Sequence, residues 1–293
     1  MLLRWAGVES GATSSTGVAR AARTIALLAL IAFCIVALTQ MTRPGWLQQD
    51  TDAYWNAALR LREGQPLYPA LLSPDASNVY RYAPWFAAAW IPLTYLPQTV
   101  AYLLWTAVLA VATVFCLLPL LRSSSLTGIG LVILMAALLV PAAASGNVQP
   151  LLLAVLLHGV DRRSGPLWIA TAASLKAAPI LLAAVYVGRR QWWRAAATLA
   201  ITAFLVAPML AFDLSNYPLE TGAAAGPLAS WLLIAAALVA TILAVRLATS
   251  RFGWLAASVA VLLAIPRWSY YQPTFLLLGL ARPATTAPRE LEP

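Results

Sequence analysis

Residues 99–121 read TVAYLLWTAVLAVATVFCLLPLL, an apolar run with no charged side chain. As a helix rising about 1.5 Å per residue, it is long enough to cross a hydrocarbon core of roughly 30 Å. Comparable apolar runs lie at 24–41, 126–144, 147–160, 166–187, 195–212, 227–247 and 253–281. Over all 293 residues, hydrophobic side chains make up 61% and charged ones 10%, against about 25% charged in an average soluble domain. So few charges do not cover a water-facing surface for a chain of this length. A soluble globular protein, a disordered chain and a DNA-binding protein are thereby excluded. The expected fold class is all-α, a polytopic transmembrane helix bundle.

The net charge of +9 does not point to nucleic acid, because the 19 basic residues are scattered between apolar runs. That is the pattern of short loops on a membrane protein. Arg20 and Arg23 precede the first run. Arg122, Arg162-Arg163, Arg189, Arg190, Arg194, Arg246 and Arg251 mark later connections. The positive-inside rule places these in the cytoplasm and residues 42–98 outside the cell membrane. On this reading 1–23 is a disordered cytoplasmic tail, 24–282 a single transmembrane domain, and 283–293 a C-terminal tail. A cleaved signal peptide is disfavoured, because the first run is long and no small-residue cleavage site follows it. Cys34 and Cys116 fall inside apolar runs and read as packing residues rather than a disulfide. His158 reads as a helix-end residue. With no His/Cys cluster, a zinc site is not expected. No cofactor is called for, and a divalent ion at Asp50 and Asp52 stays open.

One run conflicts with the charge rule. Arg162-Arg163 and Arg189-Arg190 flank 166–187, so a single crossing puts them on opposite sides. Lys176, the only lysine, and Pro179 sit near its middle. Two half-helices that break near Lys176–Pro179 and return resolve the conflict, since broken backbone at membrane depth is tolerated where it is buried or lines a wet cavity. A proline-kinked full span is the other solution. The number of passes in 253–281 is likewise open. In either case Lys176 is an intramembrane charge, which defaults to a functional hypothesis.

The stretch 42–98 is the long polar segment and holds Asp50, Asp52, Glu63 and Asp75. From Tyr54 to Leu61 the apolar residues recur at helical spacing, with Asn56, Arg60 and Glu63 opposite. Gly64 and Pro66 supply a stop. This predicts an amphipathic helix on the membrane surface, with Asp50 or Asp52 at its N-terminus. Such an aspartate can be a helix cap, half of a metal-binding Asp-x-Asp pair, or a general base for an inverting displacement at a sugar carbon. Residues 85–96, interrupted by Pro92 and followed by Pro97, predict a second interfacial or re-entrant helix.

These residues, in order, carry a resemblance. The series is Asp50-x-x-x-Tyr54 with Ala57-Ala58, Gly64 and Leu67-Tyr68; Tyr80-x-Tyr82-x-Pro84, ending at Pro92-Leu93; Gly146-Asn147-Val148-Gln149; Leu175-Lys176-x-x-Pro179 before Arg189-Arg190; and Pro266-Arg267 with Tyr271. Over about 24–282 the chain resembles the bacterial membrane glycosyltransferases of family 87, of GT-C architecture, which include polyprenyl-phosphate-mannose-dependent mannosyltransferases. It departs from them in its shorter length and in Ala83-Pro84 where the family carries Pro-Pro. The resemblance implies a polyprenyl-phosphate-linked sugar donor, a glycan or glycolipid acceptor, and a catalytic aspartate before the first amphipathic helix. The spacing to Tyr54 matches Asp50, with Asp52 as second choice. The leaving lipid phosphate needs cations, for which Lys176, Arg267 and Arg81 are the candidates. Tyr54, Tyr80, Tyr82, Asn147, Gln149 and Tyr271 are candidate sugar or acceptor contacts. The tyrosines also fit an aromatic membrane belt, and Asn147 and Gln149 also fit a helix cap. A transporter or lipid-linked sugar flippase, and a non-catalytic scaffold, are the competing classes.

Overall fold

The computed structural model describes residues 48–69, 79–121, 126–217, 227–250, 252–265 and 269–281. The expected first span at 24–41, both tails, Cys34 and Arg267 lie outside the described residues. Within them, all regular structure is helical. The α-helices are α1 (Gln49–Arg62), α2 (Pro84–Trp90), α3 (Gln98–Leu121), α4 (Leu126–Ala144), α5 (Gln149–Gly159) and α6 (Gly165–Lys176). They continue with α7 (Ala183–Gly188), α8 (Trp192–Val206), α9 (Pro227–Arg246), α10 (Gly253–Ala264) and α11 (Leu277–Leu280). Short 3-10 segments follow α2, α6 and α8 and precede α11.

Two helical stretches, Gln98–Leu121 and Trp192–Ala211, are long and apolar enough to cross a membrane. Their outward faces are strongly apolar: Phe204 is 77% exposed and Leu210 85%. On α9, Trp231, Leu232, Leu238, Val239, Ile242 and Leu243 also face outward. Isolated exposed apolar residues are ordinary in water, but contiguous rows like these call for an apolar partner such as lipid. The run 147–160, expected as one of the apolar spans, forms the shorter helix α5. Its 11 residues rise only about 16 Å.

The run 166–187 resolves into two half-helices. Helix α6 ends at Lys176, and the chain continues through the 3-10 segment Ala178–Leu182 into α7. Pro179 has no N–H to extend the helix, and its ring restricts Ala178 before it. The two ends then meet. Arg189 pairs with Asp161 at 3.2 Å. Arg194, 3% exposed, donates to the carbonyl oxygens of Val160 and Arg162 and stacks on Tyr186. The Tyr186 hydroxyl also donates to Val160. The base of the hairpin is therefore closed by a buried guanidinium that satisfies otherwise orphaned helix-end carbonyls. Single cysteines at Arg163 and Arg190, introduced without Cys34 and Cys116, should react with an impermeant thiol reagent from the same side of the membrane. Labelling from opposite sides would require a full crossing.

The run 253–281 folds back in the same way. A Cβ placed on Gly279 would lie 2.4 Å from the Cα of Leu255, so the end of this segment packs against the start of α10. Two out-and-back segments thus carry their turning points, at Lys176 and at Tyr271, toward one end of the bundle.

Helix α1 has the expected C-terminal stop. Gly64 sits at φ +69°, and Gln65 N–H bonds to the carbonyl of Arg60 at 2.8 Å, closing the helix in a Schellman turn. Its apolar face does not lie open to lipid. Tyr54, Ala57 and Ala58 are fully buried because α2 and α3 cover that face. The Tyr54 ring meets Tyr82, Phe86, Trp90 and Trp105 with centroids 4.9–6.0 Å apart. The pairs with Tyr82, Phe86 and Trp105 are edge-to-face, an arrangement that adds about 0.5–1.5 kcal/mol per pair beyond area burial.

Candidate active site

The site is assembled at the turn between α4 and α5. Helix α4 closes in a second Schellman turn: Gly146 N–H bonds to Ala143 and Asn147 N–H to Ala142, at 3.0 and 2.9 Å. Gly146 takes φ +80°, the left-handed geometry this turn requires at its glycine position. Ser145 and Asn147 are thereby presented on either side of it. The Gly146 carbonyl accepts from Trp105 Nε1 at 2.8 Å. Trp105 lies seven residues into α3, so the turn is recessed about 10 Å below that helix's start.

The N-terminus of α1 docks on this turn. Asp50 N–H bonds to the Ser145 carbonyl at 3.1 Å. Asp50 Oδ2 accepts from Ser145 Oγ at 3.1 Å and from Asn147 Nδ2 at 3.2 Å. The carboxylate is fixed through one oxygen, leaving Oδ1 with no hydrogen bond among those described. Burial pushes the Asp50 pKa above the usual carboxylate value, a rise opposed by the Asn147 bond, the Lys176 charge, the Ser145 bond and the Arg81 charge. A carboxylate with a raised pKa, one oxygen tied and the other free has the form of a general base.

Asp52 points elsewhere. Two residues along a helix is a rotation of about 200°, and its Oδ1 accepts from Tyr102 on α3, which is itself held by Gln98 at 2.8 Å. Neither aspartate caps the helix: the N-cap residue is Gln48, with no side-chain cap bond. Among the described residues, no three His, Cys, Asp or Glu side chains gather into a possible metal site. Asp50 and Asp52 also face different neighbours.

Lys176 arrives from the tip of the α6–α7 hairpin. Its Nζ donates to Asn147 Oδ1 at 3.2 Å and to Gln149 Oε1 at 3.1 Å, and lies 4.5 Å from the centre of the Tyr271 ring. Tyr271 comes from the tip of the other out-and-back segment and shares Asn147 Nδ2 with Asp50, at 3.1 Å. Gln149 Nε2 donates to Thr274 at 3.1 Å. The structure thus brings Asp50, Asn147, Gln149, Lys176 and Tyr271 together, and Arg81 is close enough to act on Asp50 electrostatically. Arg267 lies outside the described residues.

The remaining candidates form the wall behind. The Tyr54 hydroxyl accepts from Val148 N–H at 3.3 Å and donates to Tyr82 at 3.2 Å. Tyr80 donates to the Ala83 carbonyl at 2.8 Å and is buried. Outside the site, His158 bonds to the Phe115 carbonyl at the far end of α5. Cys116 is buried, with Sγ 3.3 Å from the Pro150 carbonyl. Sequence reasoning missed Ser145, Tyr102 and Thr274. Ser145 alone carried a local signal, as the polar neighbour of Gly146-Asn147 between two apolar runs.

No curated protein and no solved structure matches the chain. A family model, described as glycosyltransferase family 87, matches residues 80–219. That span contains Arg81, Asn147, Gln149 and Lys176, so the segment that builds most of the polar cluster is the one the family shares. Just under half of the chain is therefore similar to glycosyltransferase family 87, and this match supports the activity of a glycosyltransferase.

Proposed function

We propose that the chain moves a hexose, mannose by the family resemblance, from a polyprenyl phosphate to an extracytoplasmic glycan or glycolipid, with inversion and with Asp50 as the base. The observation that carries this reading is the recessed Asp50 carboxylate, oriented by Ser145 and Asn147 with Lys176 behind them. Asp50 Oδ1 takes the proton of the acceptor hydroxyl as that oxygen attacks the sugar's anomeric carbon. The bond from that carbon to the phosphate oxygen breaks, and polyprenyl phosphate departs with the electron pair. A single displacement by one base inverts the anomeric centre. Lys176 and Arg81, with Arg267, meet the charge that develops on the leaving phosphate, where fixed cations in a low-dielectric site are most effective. Tyr271 and Tyr82 offer aromatic and hydroxyl contacts to the sugar or acceptor. Asn147 and Gln149 have their amides engaged by Asp50, Lys176, Tyr271 and Thr274 and act through those groups. Tyr54 and Tyr80 support the site from behind, and Asp52 holds α1 to α3.

The protein is a multi-pass protein of the cell membrane, with its N-terminus in the cytoplasm and the Asp50 end outside. Two features support this. Apolar side chains face outward along α3, α8 and α9. Arg162, Arg163, Arg189 and Arg190 belong to the end where Asp161 and Arg189 pair, away from Asp50, as the positive-inside rule expects.

The two broken segments that meet at Lys176 and Tyr271 also suit a transport path, since discontinuous helices commonly build such sites. Purified protein in sealed vesicles separates the two readings. Transfer predicts a new glycosidic bond on acceptor lipid, made with donor supplied on the Asp50 side. Sugar crossing the vesicle wall with no new bond would favour transport.

A further inference from the structure

Asn147 is 2% exposed, and its amide is used in full. Oδ1 accepts from Gln149 N–H at 2.9 Å and from Lys176 Nζ at 3.2 Å. Nδ2 donates to Asp50 Oδ2 at 3.2 Å and to the Tyr271 hydroxyl at 3.1 Å. An amide has two donor hydrogens and two acceptor lone pairs, so no capacity is left for a substrate. Its orientation is also forced, because a flip would set the NH2 group against both the Lys176 ammonium and a backbone N–H. Lys176 is similarly committed: two of its three N–H groups go to Asn147 and Gln149, which leaves at most one for a ligand. The Asn147 dipole lies between the two charges, its oxygen toward the cation and its nitrogen toward the anion. In a buried setting, linked bonds of this kind reinforce one another.

We infer that Lys176, Asn147 and Asp50 form one unit in which Asn147 is a positioning residue and Lys176 acts on the base through it. The inference rests on Asp50 being the base and adds a role to Lys176 beyond meeting phosphate. Asn147 and Ser145 tie Oδ2 and so turn Oδ1 toward the acceptor. The charge of Lys176 opposes the burial that would otherwise protonate Asp50. The groups that face Asp50 are Lys176 on α6, Arg81 on the segment before α2, Ser145 and Asn147 on the α4–α5 turn, Tyr270 and Tyr271 before α11, and Tyr54 on its own helix.

The test follows the carboxylic-acid infrared band of Asp50, identified as the band lost in Asp50→Asn, through a pH titration of the purified, reconstituted protein. A neighbouring cation lowers a carboxyl pKa, and removing it raises the pKa. In Lys176→Met and Asn147→Ala the midpoint should therefore rise by about one pH unit, and the acid limb of kcat should move with it. In Asn147→Ala, whose amide does not reach the substrate, the donor KM should change by less than about threefold, while Lys176→Arg should return the midpoint most of the way. An unmoved midpoint in folded Lys176→Met and in folded Asn147→Ala would overturn the inference, as would a donor KM raised tenfold with the acid limb in place. The band is read without turnover. If Asp50→Asn kept full transfer, the base assignment would fail while the coupling was still decided by the titration.

Discussion

Replacing Asp50 with Asn should lower sugar transfer by about 10²–10⁴-fold, the range expected for loss of a positioned general base, while the protein still folds and inserts. Asn keeps the shape of Asp, and its amide oxygen can still accept from Ser145 and Asn147, which now bond to Asp50 Oδ2 at 3.1 and 3.2 Å. What disappears is the oxygen able to take a proton. Asp52→Asn should behave differently. Asp52 bonds to Tyr102 on α3, so its loss weakens the contact between α1 and α3 and leaves most of the transfer rate. Equal loss in the two variants would move the base to Asp52. The pH dependence follows from the same geometry. Burial raises the Asp50 pKa, and only the deprotonated form accepts a proton, so kcat should fall as pH drops through a midpoint above the usual carboxylate value. An acid limb at the ordinary carboxylate value would show that Asp50 is not buried during turnover. Initial rates across pH, with insertion checked separately, provide the measurement.

Gly146→Ala should be strongly damaging for so small a substitution. A Cβ there would lie 1.8 Å from Thr51 Oγ1, 2.9 Å from Thr51 N and 3.0 Å from Thr51 Cβ. Its φ of +80° is a further strain for alanine. Left-handed backbone in a residue other than glycine costs about 1–3 kcal/mol, and overpacking typically adds about 1–3 kcal/mol. The clash falls on α1 one residue from Asp50, so relief by moving that helix would carry the base off the turn. We expect a strong loss of detergent-solubilised folded protein, and in whatever folds, a loss of transfer beyond the loss of protein. Thr51→Ala combined with Gly146→Ala should recover only part of it, because the contact with the Thr51 backbone remains. Wild-type yield and activity in Gly146→Ala would mean that α1 does not dock on this turn.

Much of the scaffold was legible because it depends on local chemistry. The uncharged run 99–121 became α3, and 126–144 and 227–247 became α4 and α9 within a residue or so. Gly64 stopped α1 as expected of a residue that enters the left-handed region without penalty. The charge conflict around 166–187, with Pro179 near its middle, was a true signal of the break at Lys176. Choosing between a kink and a return needed the contacts of Arg189 and Arg194 with Val160, Asp161 and Arg162, which link residues far apart in sequence.

The site was legible as residue types and not as geometry. Helical periodicity says that Asp50 and Asp52 face different ways, but only the docked α4–α5 turn says which face meets Asn147. The amphipathic pattern of α1 showed an apolar face without showing that α2 and α3, rather than lipid, cover it. The polar pair Asn147 and Gln149 was visible beside Gly146. Their commitment to Lys176, 29 and 27 residues away, depends on how the hairpin packs, which no local pattern encodes.

The central claim is that this protein joins a lipid-linked hexose to an acceptor through Asp50. The most direct measurement is mass spectrometry of the products formed when purified protein is incubated with isotope-labelled polyprenyl-phosphate hexose and membrane lipids, beside the Asp50→Asn variant. The expected product is an acceptor heavier by one labelled hexose, with inverted anomeric configuration and released polyprenyl phosphate, and the Asp50→Asn variant should make none of it. A labelled product made equally well by both proteins, or a retained configuration, would contradict the claim.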